Sequence, residues 1–243
     1  MKRLLTIITF FMTVTVIFAT TAADSLYLQQ SYLEAAKLYA QDSTSDAYYN
    51  LGNCHYRLKN YGECVLAYQR ALWLNPGNRD AAHNLAITRT HLTDHFNAPA
   101  EMFFITMVKE WRMGKSYQTW LKWAVFMALL ACLTFYGFRL SSKSIIRKIF
   151  FGGIILTMVM FIVCNVFAIM QMHEQNNCEK AVVMTGEAAV YASPVAKGKP
   201  VRILHEGTTV EVNDTHGKDW VFVTLPDGTQ NWMASSQIQN VKK

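Results

Sequence analysis

Apolar residues are concentrated along this chain in three blocks and two distinct rhythms. The blocks cover residues 4–23, 120–138 and 149–172. Between the first two, residues 24–92 place apolar and small side chains at the i, i+3, i+4, i+7 spacing of a buried helical stripe. Beyond Ala181 the period falls to two, with runs at Val182, Val190, Val201–Leu204, Thr209–Val212 and Trp220–Leu225. The pattern predicts a multidomain membrane protein: an all-α helical repeat, two transmembrane helices and a small all-β barrel.

The segment Asp46–Pro76, DAYYNLGNCHYRLKNYGECVLAYQRALWLNP, reads as two antiparallel helices. The first buries Tyr48, Leu51, Gly52 and His55. A mid-helix glycine costs about 1 kcal/mol relative to alanine, so Gly52 calls for a partner helix crossing closely. Asn60-Tyr61-Gly62 makes the turn. The second helix buries Cys64, Tyr68 and Ala71, and Pro76 with Gly77 ends it. Leu51-Gly52, Tyr61, Tyr68, Ala71 and Pro76 resemble the tetratricopeptide repeat, a helix–turn–helix unit of about 34 residues. Cys64 replaces that repeat's usual alanine, and His55 an aromatic. Ser31–Tyr39 resembles the second half of a preceding repeat and Arg79–Leu92 the first helix of a following one. The module spans residues 24–95. With one complete repeat and two partial flanks, it needs a neighbour to stack against.

The resemblance implies a concave protein-binding groove lined by the first helix of each repeat. On this chain that face carries Tyr49, Asn53, Tyr56 and Arg57, then His83, Ile87 and His91. Asn53 and Asn84 sit where some relatives hold a peptide's terminal carboxylate, although the lysines that assist there are missing. The alternative is that these are merely solvated side chains.

Residues 1–23 begin with Lys2-Arg3, continue apolar and end in Thr20-Thr21-Ala22-Ala23, the form of a secretory signal peptide. An uncleaved anchor is the alternative. Residues 96–118 form a connector with Pro99, in which Met102, Phe103, Phe104, Met107, Val108 and Trp111 alternate with Lys109, Arg112 and Lys115. This pattern suits a helix lying in the membrane interface. Spans are expected over residues 119–139 and 149–172, joined by the loop 140–148. Arg139–Lys148 carries four cations and no acid, and the positive-inside tendency places it in the cytoplasm. An exported start followed by two crossings puts both terminal modules on the periplasmic side of a bacterial inner membrane. Within the uncharged stretches 123–138 and 149–170 Asn165 is the one strongly polar side chain, with no ionisable group for a transport pathway.

A linker over residues 173–180 leads to the third module, residues 181–243. Turn signals at Ser193-Pro194, Glu206-Gly207, His216-Gly217 and Pro226-Asp227-Gly228 divide five or six strands, as a small closed barrel requires. Their order, with Trp232 in the penultimate strand, resembles a bacterial SH3-like domain. That resemblance implies a peptide- or wall-binding surface at Tyr191, Trp220 and Trp232. Packing of these rings and Phe222 inside the barrel is the favoured expectation.

The chain has 243 residues, is 51% hydrophobic and carries a net charge of +6. Much of the basic charge flanks the apolar blocks, which points to lipid headgroups and away from nucleic acid. Of five cysteines, Cys132 and Cys164 fall in the spans and Cys54 and Cys64 on neighbouring helices. There they read as packed small residues, with a disulfide as the alternative. Cys178 is the candidate reactive thiol. His91 and His95, four apart beside Asp94, suggest a metal site on one helix face, but a third ligand is not evident and no metal or cofactor is expected. No catalytic constellation stands out, so the expectation is a non-enzymatic scaffold. The order of modules resembles the BatE-like components of the Bacteroides aerotolerance operon. This resemblance implies partnership with Bat membrane proteins carrying von Willebrand A domains, alongside a MoxR-type ATPase, in oxidative-stress tolerance. An envelope sensor binding peptidoglycan or a wall peptide is the alternative.

Overall fold

The structure, a computed structural model, describes residues 22–96, 102–194 and 198–242. The expected signal segment up to residue 21, and Pro99 of the connector, lie outside the described residues. Residues 22–28 are helical. They are followed by α1 (Tyr32–Tyr39), α2 (Ser45–Arg57), α3 (Tyr61–Leu74), α4 (Arg79–Arg89), α5 (Phe103–Met113), α6 (Tyr117–Leu140) and α7 (Ser144–Asn176). Seven strands complete the chain: β1 (Lys180–Val183), β2 (Ala188–Tyr191), β3 (Arg202–Leu204), β4 (Thr209–His216), β5 (Trp220–Thr224), β6 (Gln230–Ala234) and β7 (Ile238–Asn240). Two compact units result. One joins α1–α4 to the strands, and the other holds α5–α7.

In the first unit the helices begin where polar caps satisfy their orphan amides. Thr44 Oγ1 accepts from Ala47 N at 3.2 Å to open α2, and Asn78 Oδ1 accepts from Ala81 N at 3.0 Å to open α4. The α2–α3 turn lies earlier than Asn60-Tyr61-Gly62. Lys59 takes φ 61°, and Asn60 O already accepts from Cys64 N at 3.0 Å. Tyr61 and Gly62 therefore belong to α3. The close crossing expected at Gly52 is present, since a Cβ there would lie 2.5 Å from the Tyr68 ring.

Helix α3 is buried on every side: Gly62 and all residues from Cys64 to Ala71 are inaccessible. A helix packed against one neighbour shows a single apolar stripe, so complete burial means further neighbours. Here α2 and α4 cover part of it and β1 another. Strand β1 is shared. Val182 joins the helical core together with Val241, whereas Ala181 and Val183 point into the core of the sheet. The helical charge Arg70 is also enclosed. Its Nε donates to Val241 O at 3.2 Å and its Nη2 to Asn240 O at 3.1 Å, with the guanidinium 5.8 Å from the Tyr48 ring centroid. The sheet thus supplies the neighbour that a lone repeat lacks.

A second fastening follows α4. Alternate residues of one extended segment engage the sheet: Leu92 packs on Gly207, Asp94 binds the β3–β4 turn, and Arg202 lies 4.8 Å from the Phe96 ring centroid. Gly207 is required there, because its φ is +85° and a Cβ would meet Leu92 at 2.5 Å. The Asp94 carboxylate accepts from His205 N at 2.7 Å and Thr208 Oγ1 at 2.6 Å, and pairs with His205 Nδ1 at 2.8 Å.

The strands form one antiparallel sheet in the order β3-β2-β6-β5-β4-β1-β7. It has seven strands where five or six were expected, and it is not closed into a barrel. Its edges, β3 and β7, are three residues each. Strands this short present little backbone for pairing with one another. Residues from β1 to β6 nevertheless share one core around Val190, Leu204, Val223 and Met233.

In the second unit, α6 and α7 are long and apolar enough to cross a membrane, by length and composition. The expected loop 140–148 shrinks to Ser141–Lys143, because Lys143 O accepts from Arg147 N at 3.0 Å and α7 starts five residues before the apolar block. At 33 residues, α7 is roughly 50 Å long, more than the ~30 Å a bilayer core needs. Small residues let the two helices approach. A Cβ on Gly137 would sit 2.5 Å from the Phe150 ring.

Two stability outcomes follow from these fastenings. Arg70→Leu should lower the unfolding free energy by about 2–3 kcal/mol, because two backbone carbonyls lose a charged donor; denaturant titration of the full chain in detergent reads this. Partial burial would raise the Asp94 carboxyl, but the hydrogen bonds from Thr208 and His205 hold it below the usual carboxylate range. A depressed carboxylate stabilises above its unfolded value of about 3.9, and that contribution is lost as pH falls through the folded value. Asp94→Asn should therefore lower the thermal midpoint at neutral pH, with the difference from the parent protein vanishing in strong acid.

Candidate functional site

Helices α2 and α4 turn their inner faces to a cleft of about 330 Å³. Helix α2 supplies Tyr49, Asn53, Tyr56 and Arg57, which share one face at helical spacing. Helix α4 supplies Asn84 and Ile87, and Tyr27 and Tyr68 complete the lining.

A hydrogen-bonded chain crosses the floor. Tyr68 OH donates to Asn53 Oδ1 at 2.7 Å, Asn84 Nδ2 donates to the same oxygen at 2.9 Å, and Asn84 Nδ2 lies 3.5 Å from Tyr49 OH. Burial pushes the Tyr68 phenol far above its ordinary value, so it remains a neutral donor. With Asn53 Oδ1 accepting twice, the paired amides keep Asn53 Nδ2 as a donor and Asn84 Oδ1 as an acceptor. That pair of groups matches the carbonyl and amide of a peptide main chain. Arg57, exposed beside the Tyr27 phenol, contributes the cation at the rim.

Six of the eight groove residues expected from the sequence converge here. His83 and His91 do not line the cleft. His83 is exposed on another side of α4. Helix α4 ends at Arg89, so His91 leaves the helical register. It stacks on Tyr61 at 5.4 Å, and its Nε2 lies 3.2 Å from Tyr56 OH, steadying the groove from behind. Tyr27 and Tyr68 were not anticipated. The signal for Tyr68 was Gly52: the ring that fills the space above this glycine also carries the hydroxyl that fixes Asn53.

On the sheet, the expectation that Tyr191, Trp220, Phe222 and Trp232 pack inside is corrected. Val221, Val223, Met233 and Val190 alternate with them and take the interior, leaving all four aromatics half-buried on the opposite face. Phe222 lies 4.9 Å from Trp232, Tyr191 lies 5.6 Å from Trp220, and His216 lies 6.0 Å from Trp232, all between ring centroids.

The other candidate chemistry separates. His91, Asp94 and His95 follow the end of α4, so they share no helix face, and Asp94 is engaged by His205 and Thr208. Among the described residues no group of three or more His, Cys, Asp or Glu side chains is placed to hold a metal ion. Cys54 and Cys64 are free and buried, and burial pushes each thiol up to about 11. Neither is a ready nucleophile at neutral pH. Cys178 is half-buried in the wall of a polar cleft of about 480 Å³, beside Glu179, Asp214 and Asn240.

Gly52→Ala tests the floor of the groove. Overpacking against Tyr68 costs about 1–3 kcal/mol, more than the ~1 kcal/mol that alanine contributes to helix formation. The expected result is a net loss of stability in denaturant titration. Comparison with known families matches residues 45–78 to the tetratricopeptide repeat. No curated protein matches the chain.

Proposed function

We propose that this protein is a membrane-held adaptor, not an enzyme, whose groove takes an extended segment of a protein partner. The observation that carries the reading is the hydrogen-bonded Asn53–Asn84 pair, which lines the cleft together with Tyr49 and Arg57 and leaves one amide donor and one amide acceptor for a peptide. Tetratricopeptide repeats generally mediate protein–protein interactions, and the match at residues 45–78 supports that use here.

The membrane part of the proposal draws support from chain connectivity. Segments before α5 and after α7 build one compact unit, joined by the Arg70 and Asp94 bonds. Those bonds are compatible with two crossings or none, since a single crossing would part the segments. The basic Arg139–Lys148 stretch then faces the cytoplasm and the groove faces the periplasm. We further propose that the partners are Bat membrane proteins with von Willebrand A domains, within an aerotolerance complex of the envelope.

Crosslinking in intact cells, with recovery through a C-terminal tag, tests this reading. Asn53→Ala with Arg57→Ala should lower partner recovery by about tenfold, equivalent to roughly 1.4 kcal/mol of lost hydrogen bonding. Unaltered recovery would reject the groove.

A second reading rests on the outward aromatics of the sheet. Their half-exposed rings favour an SH3-like sensor surface for peptidoglycan or a wall peptide at Tyr191, Trp220 and Trp232. The full chain in detergent should then pellet with purified cell wall, and Trp220→Ala with Trp232→Ala should abolish it. Pelleting that ignores these substitutions would sink this version.

A further inference from the structure

Helix α5 packs on α6 and α7 through Arg112 and the ring of Trp111. Arg112 is 6% exposed, and its guanidinium holds Glu174 of α7 through two bonds, Nη2 to Oε1 at 2.6 Å and Nη1 to Oε2 at 3.0 Å. Nη1 also reaches Gln171 Oε1 at 3.3 Å. Trp120 Nε1 of α6 donates to Arg112 O at 3.4 Å. A paired, bidentate arginine fixes orientation, and removing one partner leaves the other buried charge uncompensated.

Another side carries Phe103, Phe104, Met107 and Trp111, with exposures of 83%, 66%, 48% and 50%. At 100° per residue these four positions fall within an arc of about 100° centred roughly 130° from Arg112, with the exposed Glu110 at its margin beside Phe103. The stripe is continuous with the two apolar helices. The Trp111 ring lies 4.8 Å from Trp120 and 5.9 Å from Phe167, and Lys115 Nζ sits over both indoles at 4.5 and 5.2 Å. Beyond this cluster α6 and α7 expose Trp123, Phe126, Leu129 and Ile162. Rings and lysines gathered at the end of two spans, beside an apolar helical stripe, have the chemistry of the headgroup level of a bilayer.

We propose that α5 is an interfacial lipid-binding helix. Its Phe103–Phe104–Met107–Trp111 stripe is covered by the headgroup–acyl boundary of the membrane that α6 and α7 cross, and the Arg112–Glu174 pair is the fastening that aims it there. The occupant is lipid because the stripe reaches, through Trp111, the Trp120 and Phe167 rings at the end of the two apolar helices, beyond which Trp123, Phe126 and Leu129 are exposed. The inference rests on the membrane reading above and is independent of the groove. In it, Arg112 is a positioning residue and does not itself reach for headgroups. An arginine beside lipid ordinarily extends outward, whereas this one turns inward to a carboxylate.

Photocrosslinking of the full chain tests the assignment. Benzoylphenylalanine is placed singly at Phe104, Met107, Lys109 and Phe126, and the protein is reconstituted in vesicles of phosphatidylethanolamine and phosphatidylglycerol. Lipid adducts are expected at Phe104 and Met107 in several-fold greater yield than at Lys109, on the far side of α5. Arg112→Leu should reduce that contrast while leaving the yield at Phe126 intact. Equal yields at all three α5 positions, or adducts to protein at Phe104 and Met107, overturn the lipid assignment. Loss of lipid adducts at Phe126 as well overturns the membrane reading together with it.

Discussion

Helix α3 is enclosed along its middle turns, with Glu63 its exposed residue, and the first unit depends on how its surroundings are assembled. From Cys64 to Ala71 every residue is buried, including Gln69 and Arg70. Burying an arginine is costly unless its donors are met. The carbonyls of Asn240 and Val241 meet them from the far end of the chain. Closing so long a loop carries an entropic cost that grows only slowly with length. One tetratricopeptide unit with partial flanks exposes apolar surface that a longer array would cover by stacking. Here strand β1 covers it, with Val182 turned to the helices and its neighbours turned to the sheet.

Holding α3 from outside leaves the inner faces of α2 and α4 open. The groove floor is built from the same helix, since Tyr68 fills the space above Gly52 and ends on Asn53. Core packing and the cleft floor therefore share one side chain, and a change at Tyr68 is transmitted directly to the Asn53 amide that lines the cleft. The extended segment from Leu92 to Phe96 closes the arrangement by tying the end of α4 to the β3–β4 turn.

Much of the helical architecture was legible because period and residue type agree along residues 31–92. Gly52 announced the close crossing, and six groove residues followed from their helical spacing. What escaped depended on long-range partners. Lys59 gave no sign that it would take a left-handed conformation, so the turn was placed late. Asp94 read only as a neighbour of the His91–His95 pair and Phe96 as the start of the connector, because their partners lie more than a hundred residues away. Alternation in β5 and β6 was legible, but its sign was not: either the valines or the aromatics could face inward, and only the packing decides. Sheet closure was equally beyond a local pattern. The outward rings, the half of the pattern that inverted, are also where the second functional reading is strongest.

The central physical claim is that repeat and sheet fold as one body, with α3 shared between them. Native-state hydrogen exchange on the full chain in detergent reads this directly, since amides in one cooperative unit open with one free energy. Amides of α3 between Cys64 and Ala71 are expected to match those of β1, β4 and β5, and to lose protection together with them in added denaturant. Exchange in α3 at markedly lower free energy than in the strands would contradict the claim, leaving the repeat as a separately unfolding module.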